Sequence, residues 1–181
     1  QTSGTTANNF TNPVTYTVTA ADGTTQAYTV TVTIAAAPLA IGDAYQGGVV
    51  AYILQPGDPG YVAGQTHGLS AATADQIGAG ATDGIQWSTE PYWSPEVPGA
   101  TGTAIGTGAA NTDAIIAQNG AGTTYAAGLA RDYTGGGHSD WFLPSKDELD
   151  QLYLNRVAIG GFHTASGDWR WYWSSSQIAG L

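Results

Sequence analysis

Residues Gly135 to Val157, GGGHSDWFLPSKDELDQLYLNRV, contain the strongest local folding signals of the chain. Ser145 and Glu148 stand at the S-x-x-E spacing of a capping box, in which each side chain accepts a hydrogen bond from the other residue's backbone N–H. A helix is therefore predicted to begin at Lys146. The pair Gly160-Gly161 is predicted to end it, because glycine readily adopts the left-handed conformation that closes a helix.

The apolar side chains of this predicted helix recur at helical spacing, which favours one stripe buried against a core. The stripe consists of Leu149, Leu152, Tyr153 and Val157. Upstream, Asp140-Trp141-Phe142 is interpreted as a short buried strand or turn that leads into Pro144. Trp141 is predicted to anchor the core beside the helix, since large aromatic side chains usually pack there.

Composition excludes several classes of function. The 181 residues include 4 cationic and 14 acidic side chains, for a formal charge of −10, and no cysteine. Such a charge repels nucleic acids and anionic membranes, and the missing cysteine excludes disulfides and thiolate chemistry. The polar surface must consist mainly of Thr, Ser, Asn, Gln and Gly, which favours an extracellular protein. There is no apolar run of membrane-spanning length and no signal peptide at Gln1, so we expect a mature or excerpted sequence.

Residues 13–34 alternate between apolar or aromatic side chains and threonine, with a turn at Ala21-Asp22-Gly23-Thr24. This pattern predicts a β-hairpin with one buried face and one threonine face. The segment resembles the last strands of a bacterial immunoglobulin-like surface repeat, which implies that residues 1–34 are the end of such a β-sandwich. Either the repeat has been cut, or other chains supply the missing strands.

Residues 35–40 are interpreted as a linker, and residues 41–181 as a second domain. A strand is predicted over Val49–Leu54. One helix is predicted from a cap at Asn111-Thr112-Asp113 to about Gln118, and another over Tyr125–Tyr133. The aromatic run that begins at Trp169 is predicted to be a strand, with its tryptophans on one face and Arg170 and Tyr172 on the other.

Six separated motifs of the second domain resemble the C-terminal domain of the Legionella collagen-like adhesin, a family that includes the Fibrobacter paralogous surface domain. The motifs are IGDAYQGGVVAYIL, HGLSAA, IGTGAANTDAII, TYAAGLARDY, GGGHSDWFLPSKDELDQLY and YWSSS. The resemblance implies an α+β, C-type-lectin-like fold of short helices on small twisted antiparallel sheets, related to formylglycine-generating enzymes. It also implies an exported adhesin or receptor-binding tip that binds a glycan or another surface ligand.

The ligand-binding residues implied by the resemblance lie around the last motif. They are Asp168, Trp169, Arg170, Trp171 and Tyr172. Tyr92 and Trp93, in the proline-rich loop PYWSPEVP, are further candidates, although this loop is equally explained by aromatic packing alone. Aromatic faces stack on sugars, and Asp or Arg can fix their hydroxyl or acid groups.

The sequence departs from this family in two respects. The family continues beyond YWSSS with further strands, so a chain ending at Leu181 is either truncated or leaves a sheet edge for a neighbour. This favours self-association and, as the alternative function, a structural subunit of a cell-surface or phage tail fibre assembled through shared strands. The acidic charge also disfavours sulfated polysaccharides as ligands.

No catalytic constellation is evident, and we expect a protein that is not an enzyme. The pair His138 and Asp140 could act as acid and base, but a structural role in the glycine turn is favoured. No cofactor is predicted. Calcium remains an option because Asp43, Asp58 and Asp168 could join loop carbonyls in a site, although no EF-hand loop is present.

Overall fold

The computed structural model of the chain describes residues 7–33, 37–77, 84–89, 96–163 and 171–178. The chain divides into two compact units, Gln1–Pro38 and Leu39–Leu181. Small antiparallel sheets and short helices make up the secondary structure, which confirms the predicted α+β class. None of the helices that the described residues form is both long enough and apolar enough to cross a membrane.

The first unit contains the predicted hairpin. Strand β1 (Val14–Thr19) pairs antiparallel with β2 (Thr25–Val30), and Tyr16 lies opposite Tyr28. In the turn, the Asp22 carboxylate accepts hydrogen bonds from the amide and hydroxyl of Thr24. These bonds lower the pKa of Asp22, because they stabilise its charged form.

The apolar face of this hairpin is exposed over Val18, Tyr28 and Val30 and only half-buried at Val14 and Tyr16, contrary to the predicted buried face. Val18 and Tyr28 are each 56% exposed and Val30 is 40% exposed. The alternation was interpreted correctly as a strand pattern, but a two-stranded sheet has no second layer of its own to cover one face.

The sheet of the second unit has the order β3-β4-β5 and is antiparallel throughout. Its strands are β3 (Ala44–Tyr45), β4 (Gly48–Ile53) and β5 (Gly68–Ala72). Gln46 and Gly47 form the tight β3–β4 turn with φ angles of 50° and 77°. A Cβ atom on Gly47 would lie 2.3 Å from Gly136 Cα. The glycine turn of residues 135–137 therefore packs directly on this hairpin.

Helices α1 (Gly108–Asn119) and α2 (Ala126–Asp132) enclose the larger core. Its buried members are Val97, Ala100, Ile115, Tyr125, Ala126, Ala127 and Leu143. The prediction that Asn111 caps α1 was wrong, since the helix begins three residues earlier. Asn111 is buried, and its side chain holds the backbone of Gly102 through hydrogen bonds to both the amide and the carbonyl.

Helix α3 (Lys146–Leu154) begins at the predicted residue, and both hydrogen bonds of the capping box are present. It is interrupted at Asn155, whose side chain donates to the carbonyl of Ala51 in β4 (2.9 Å). A short helix α4 (Arg156–Ile159) then follows and ends at Gly160.

The predicted apolar stripe of α3 was wrong in part. Leu149 and Leu152 are half-buried, but Tyr153 is 60% and Val157 89% exposed. The break at Asn155 changes the helical phase, so Ile159 enters the core beside the sheet instead of Val157.

The segment Asp140-Trp141-Phe142 is irregular and only partly buried, so the predicted buried strand is not formed. Trp141 packs edge-on against Tyr133, with ring centroids 5.0 Å apart. Its indole N–H donates to the carbonyl of Gly135 at 3.2 Å. Trp141 therefore fixes the glycine turn to the end of α2, while part of its ring faces a cavity.

Candidate functional site

A cavity of about 380 Å³ lies in the second unit. It lies between β5 and the loop that follows it, helix α2, the segment leading into α3, and residues 171–173. This volume is near the lower end of the range of about 300–1,000 Å³ that is common for small-molecule sites. Its size suits a small ligand or one end of a larger one.

Aromatic side chains form much of the cavity wall. Beside the Tyr133–Trp141 pair, Phe162 packs edge-on against Tyr172 with ring centroids 5.3 Å apart. Such T-shaped pairs fix each ring in orientation. The wall is therefore built from rings that support one another.

The rim of the cavity includes Trp171, Tyr172 and Trp173. Trp171 is 82% exposed, whereas the indole N–H of Trp173 is anchored to the carbonyl of Ile85 at 2.6 Å. Exposure of a large aromatic ring costs hydrophobic free energy. An exposed tryptophan beside a cavity is thus a candidate contact for a ligand.

A polar cluster lies at the same rim. The hydroxyl of Tyr172 donates to both carboxylate oxygens of Asp75 at 2.9 and 3.0 Å, and His163 Nδ1 lies 2.7 Å from Asp75 Oδ2. The backbone amide of His163 in turn donates to the hydroxyl oxygen of Tyr172. These bonds fix the position of a carboxylate next to the aromatic wall.

Residues 174–177, which follow the three aromatic residues of the rim, form hydrogen bonds with several loops. The amide of Ser175 donates to the carbonyl of Pro144 at 2.7 Å, and the amide of Gln177 donates to Ala100 at 2.7 Å. The indole of Trp87 donates to the carbonyl of Ser174. Residues 174–177 therefore tie the rim to the core, with Ser175 fully buried.

These contacts also correct the prediction that the aromatic run is a strand. The described residues 171–178 contain no strand, and the amides of Ser175 and Gln177 bond to Pro144 and Ala100, which lie in loops. The simple alternation of faces consequently fails, and Trp171, Tyr172 and Trp173 all border the same cavity.

Only two of the seven predicted ligand-binding residues lie in the described part of the chain. Trp171 and Tyr172 lie at the cavity, whereas five others lie outside the described residues. Those five are Asp168, Trp169, Arg170, Tyr92 and Trp93. Sequence reasoning missed Asp75 and His163, which are 97 and 9 positions from Tyr172. Neither residue stands in a motif that could have indicated its role.

His138 and Asp140 both line the cavity, but no hydrogen bond joins their side chains within the described part of the chain. The acid–base pairing that their spacing allowed is therefore not formed in this geometry.

Two of the aspartates considered as calcium ligands, Asp43 and Asp58, accept hydrogen bonds from residues nearby in sequence. Asp43 accepts a hydrogen bond from the amide of Ala40, and Asp58 accepts from the amide of Gln55 and the hydroxyl of Tyr52. The bond from Tyr52 to Asp58 raises the pKa of Tyr52. Across the described ranges, no group of three or more His, Asp or Glu side chains is placed to hold a metal ion; Asp168 lies outside these ranges.

Comparison with protein families gives a match to the first unit. The model of the family described as SGBP, N-terminal, the N-terminal region of surface glycan-binding proteins, matches residues 1–32. No curated protein and no solved structure was found to match the chain. The resemblance of the second unit to the collagen-like adhesin domain, and with it the lectin-like fold, stays a prediction. The first 32 residues are thus similar to the N-terminal region of a family of surface glycan-binding proteins.

Proposed function

We propose that the protein is a surface-exposed, non-enzymatic binding module that recognises a glycan at the cavity of its second unit. The observation that carries the proposal is the cavity rimmed by Trp171, Tyr172 and Trp173, with Asp75 fixed beside them. Sugar rings present C–H faces that pack on aromatic side chains and hydroxyl groups that hydrogen-bond to carboxylates. The family match of residues 1–32 supports the same class of ligand.

The proposed ligand site combines an open and an enclosed part. The exposed ring of Trp171 could pack on one sugar, while the cavity of about 380 Å³ receives the adjoining one. Because the cavity is small, it accommodates a chain end or a side branch better than an extended polymer. The adhesin-like display of such a module on a cell surface agrees with the acidic, cysteine-free composition.

The test is a Trp171→Ala variant of the full chain, compared with the unchanged protein on a glycan array and by calorimetry on the best ligands. Since this side chain is 82% exposed, its loss leaves the core intact. An aromatic side chain at the centre of a binding site commonly contributes about 2 kcal/mol or more, so we expect at least a tenfold loss of affinity.

Tyr153→Ala is the matched control, because Tyr153 is also an exposed aromatic residue but does not line the cavity. Unchanged affinity in both variants would place the glycan elsewhere on the molecule. Absence of binding to every glycan at millimolar concentration would overturn the proposal as a whole.

The hairpin of the first unit favours a second candidate function, that of a fibre subunit assembled through shared strands. Val18, Tyr28 and Val30 leave an apolar face open to a partner. Light scattering at several concentrations tests this function, with Tyr28→Thr as the variant. Concentration-dependent assembly that the variant abolishes would support it, whereas a monomer at all concentrations would exclude it.

A further inference from the structure

The charge of the cavity limits which sugars it can bind. Asp75 and Asp140 contribute carboxylates, and no lysine or arginine is among the described residues that line it. Glu148 also reaches the cavity, but its two oxygens accept hydrogen bonds from the amides of Gly106 and Ser145. With His138 in the lining and His163 beside Asp75 both counted as neutral, the described lining carries a negative formal charge.

The described cationic side chains are engaged elsewhere. Arg131 pairs with Asp113, and Lys146 lies 3.1 Å from a carboxylate oxygen of Asp150. The guanidinium of Arg156 stacks on the ring of Tyr153, 4.1 Å from its centroid. None of these groups lines the cavity, where an acidic sugar would need a cationic partner.

Asp75 is suited to hold a cation. Tyr172 and His163 fix its carboxylate, and its side chain is 23% exposed. A carboxylate offers about four lone-pair positions, so these two partners leave acceptor capacity for a ligand. Since Asp75 is already oriented, binding does not incur the entropy cost of ordering it.

The aromatic wall adds to the same preference. The faces of tryptophan and tyrosine rings carry negative electrostatic potential and attract ammonium groups within about 6 Å, by about 0.5–2 kcal/mol. Trp171 and Tyr172 lie at the same rim as Asp75. A cation that binds the carboxylate would thus lie close to aromatic rings.

We infer that the glycan recognised at this cavity carries a protonated primary amine, as in a de-N-acetylated hexosamine unit, and that Asp75 binds the ammonium group. The inference rests on the proposed function and adds the chemistry of the ligand to it. Uronic and sulfated sugars are disfavoured, because their anionic groups would face Asp75 and Asp140 with no lysine or arginine among the described lining residues. The formal charge of −10 strengthens the attraction of cationic ligands at low ionic strength.

The test compares three oligosaccharides of equal length by calorimetry with the full chain: a glucosamine oligomer, the N-acetylglucosamine oligomer and a galacturonic acid oligomer. The first two differ only in the acetyl group that removes the charge. We expect the amine form to bind at least tenfold more tightly than the acetylated form, and the acidic oligomer to show no binding. Raising the salt concentration should weaken binding of the amine form only.

The Asp75→Asn variant identifies the residue responsible. Asparagine retains an oxygen that accepts the hydrogen bond from Tyr172, so the rim keeps its support while losing the charge. In this variant, we expect the affinity for the glucosamine oligomer to fall about tenfold. It should then equal the affinity for the N-acetylglucosamine oligomer, which the substitution should change less than twofold. Asp147→Asn is the matched control, since it alters the net charge equally at an exposed residue outside the cavity.

The outcomes distinguish the two proposals. If none of the three oligomers nor any glycan of the array binds, the proposed function fails. If sugars bind but the amine form has no advantage, or Asp75→Asn weakens the amine and acetylated forms equally, only the inference about charge fails. In the latter case Asp75 acts by positioning Tyr172 and not by contacting an ammonium group.

Discussion

Replacement of Glu148 by alanine should destabilise the second unit much more than replacement of the neighbouring Asp147 by alanine. Glu148 is fully buried at the start of this helix. One carboxylate oxygen accepts from the amide of Ser145 and the other from the amide of Gly106, both at 2.7 Å. The side chain therefore joins the helix start to the loop before α1.

The loss of stability can be estimated from the hydrogen bonds that the amides of Ser145 and Gly106 lose. A hydrogen bond to a charged group contributes about 1.5–3 kcal/mol, and a buried donor left unpaired costs about 1–3 kcal/mol. Ser145 is fully buried, whereas Gly106 is exposed and water can replace its bond. We therefore expect a loss of about 3 kcal/mol, most of it from Ser145. For a unit of this size, that corresponds to a decrease in Tm of roughly 6–12 °C.

Tryptophan fluorescence is the appropriate assay, because all 6 tryptophans lie after Pro38 and report on the second unit. Thermal and urea unfolding of Glu148→Ala, Glu148→Gln and the unchanged protein give the free energies of unfolding. Glutamine keeps one acceptor but directs an NH₂ group at the second amide, so its effect should be intermediate. Asp147→Ala is the control, since this exposed residue in the same turn contributes about 0.3–1 kcal/mol through the helix dipole.

If Glu148→Ala lowered stability no more than Asp147→Ala, the two hydrogen bonds of Glu148 would carry no net free energy and the reasoning would be refuted. A large effect of equal size in the glutamine variant would also count against it, because one acceptor is retained there.

Three further predictions concern other parts of the second unit. Gly47→Ala should lower the free energy of unfolding in urea by about 2 kcal/mol more than Gly64→Ala. Both positions have positive φ, but only a Cβ at Gly47 would meet the backbone of Gly136. Equal losses in the two variants would contradict this close approach. Asn111→Ala should lower the free energy of unfolding by about 2–4 kcal/mol in the same assay, since it removes three hydrogen bonds made by a buried side chain. A loss below about 1 kcal/mol would show that water replaces these bonds. Burial raises the pKa of Tyr125, so the folded state favours the neutral phenol. The resulting stabilisation of the folded state is complete at pH values below the pKa of about 10 in the unfolded chain. It is lost as the pH rises through the higher pKa of the folded state. Alkaline unfolding should therefore be less steep in Tyr125→Phe, and identical pH profiles would exclude this role.

Local patterns predicted those elements whose causes are local. The capping box at Ser145 and Glu148 determines where α3 begins, since its partners are only three residues apart. The threonine alternation predicted the hairpin because strand pairing across a short turn depends on neighbouring residues. The burial of these elements was predicted less well. Asn155 breaks the helix through a bond to Ala51, 104 positions away, which no periodicity can indicate.

The candidate site shows the same division. The family resemblance of the last motif pointed to Trp171 and Tyr172, and their aromatic rings agreed with sugar binding. The interpretation of the aromatic run as a strand failed for the described residues 171–178, in which the amides of Ser175 and Gln177 bond to Pro144 and Ala100 in loops. Asp75 carried no signal at all, because its role depends on a contact with Tyr172 across 97 positions.

The sequence by itself determined the acidic charge, the hairpin, the start of α3 and the aromatic content of the site, because composition and contacts within a few residues decide these features. Only the tertiary structure decided that Asp75, Tyr172 and His163 meet, that the three rim aromatics share one cavity, and that Val157 faces solvent. These features depend on how distant segments pack, and packing is set by the whole second unit together.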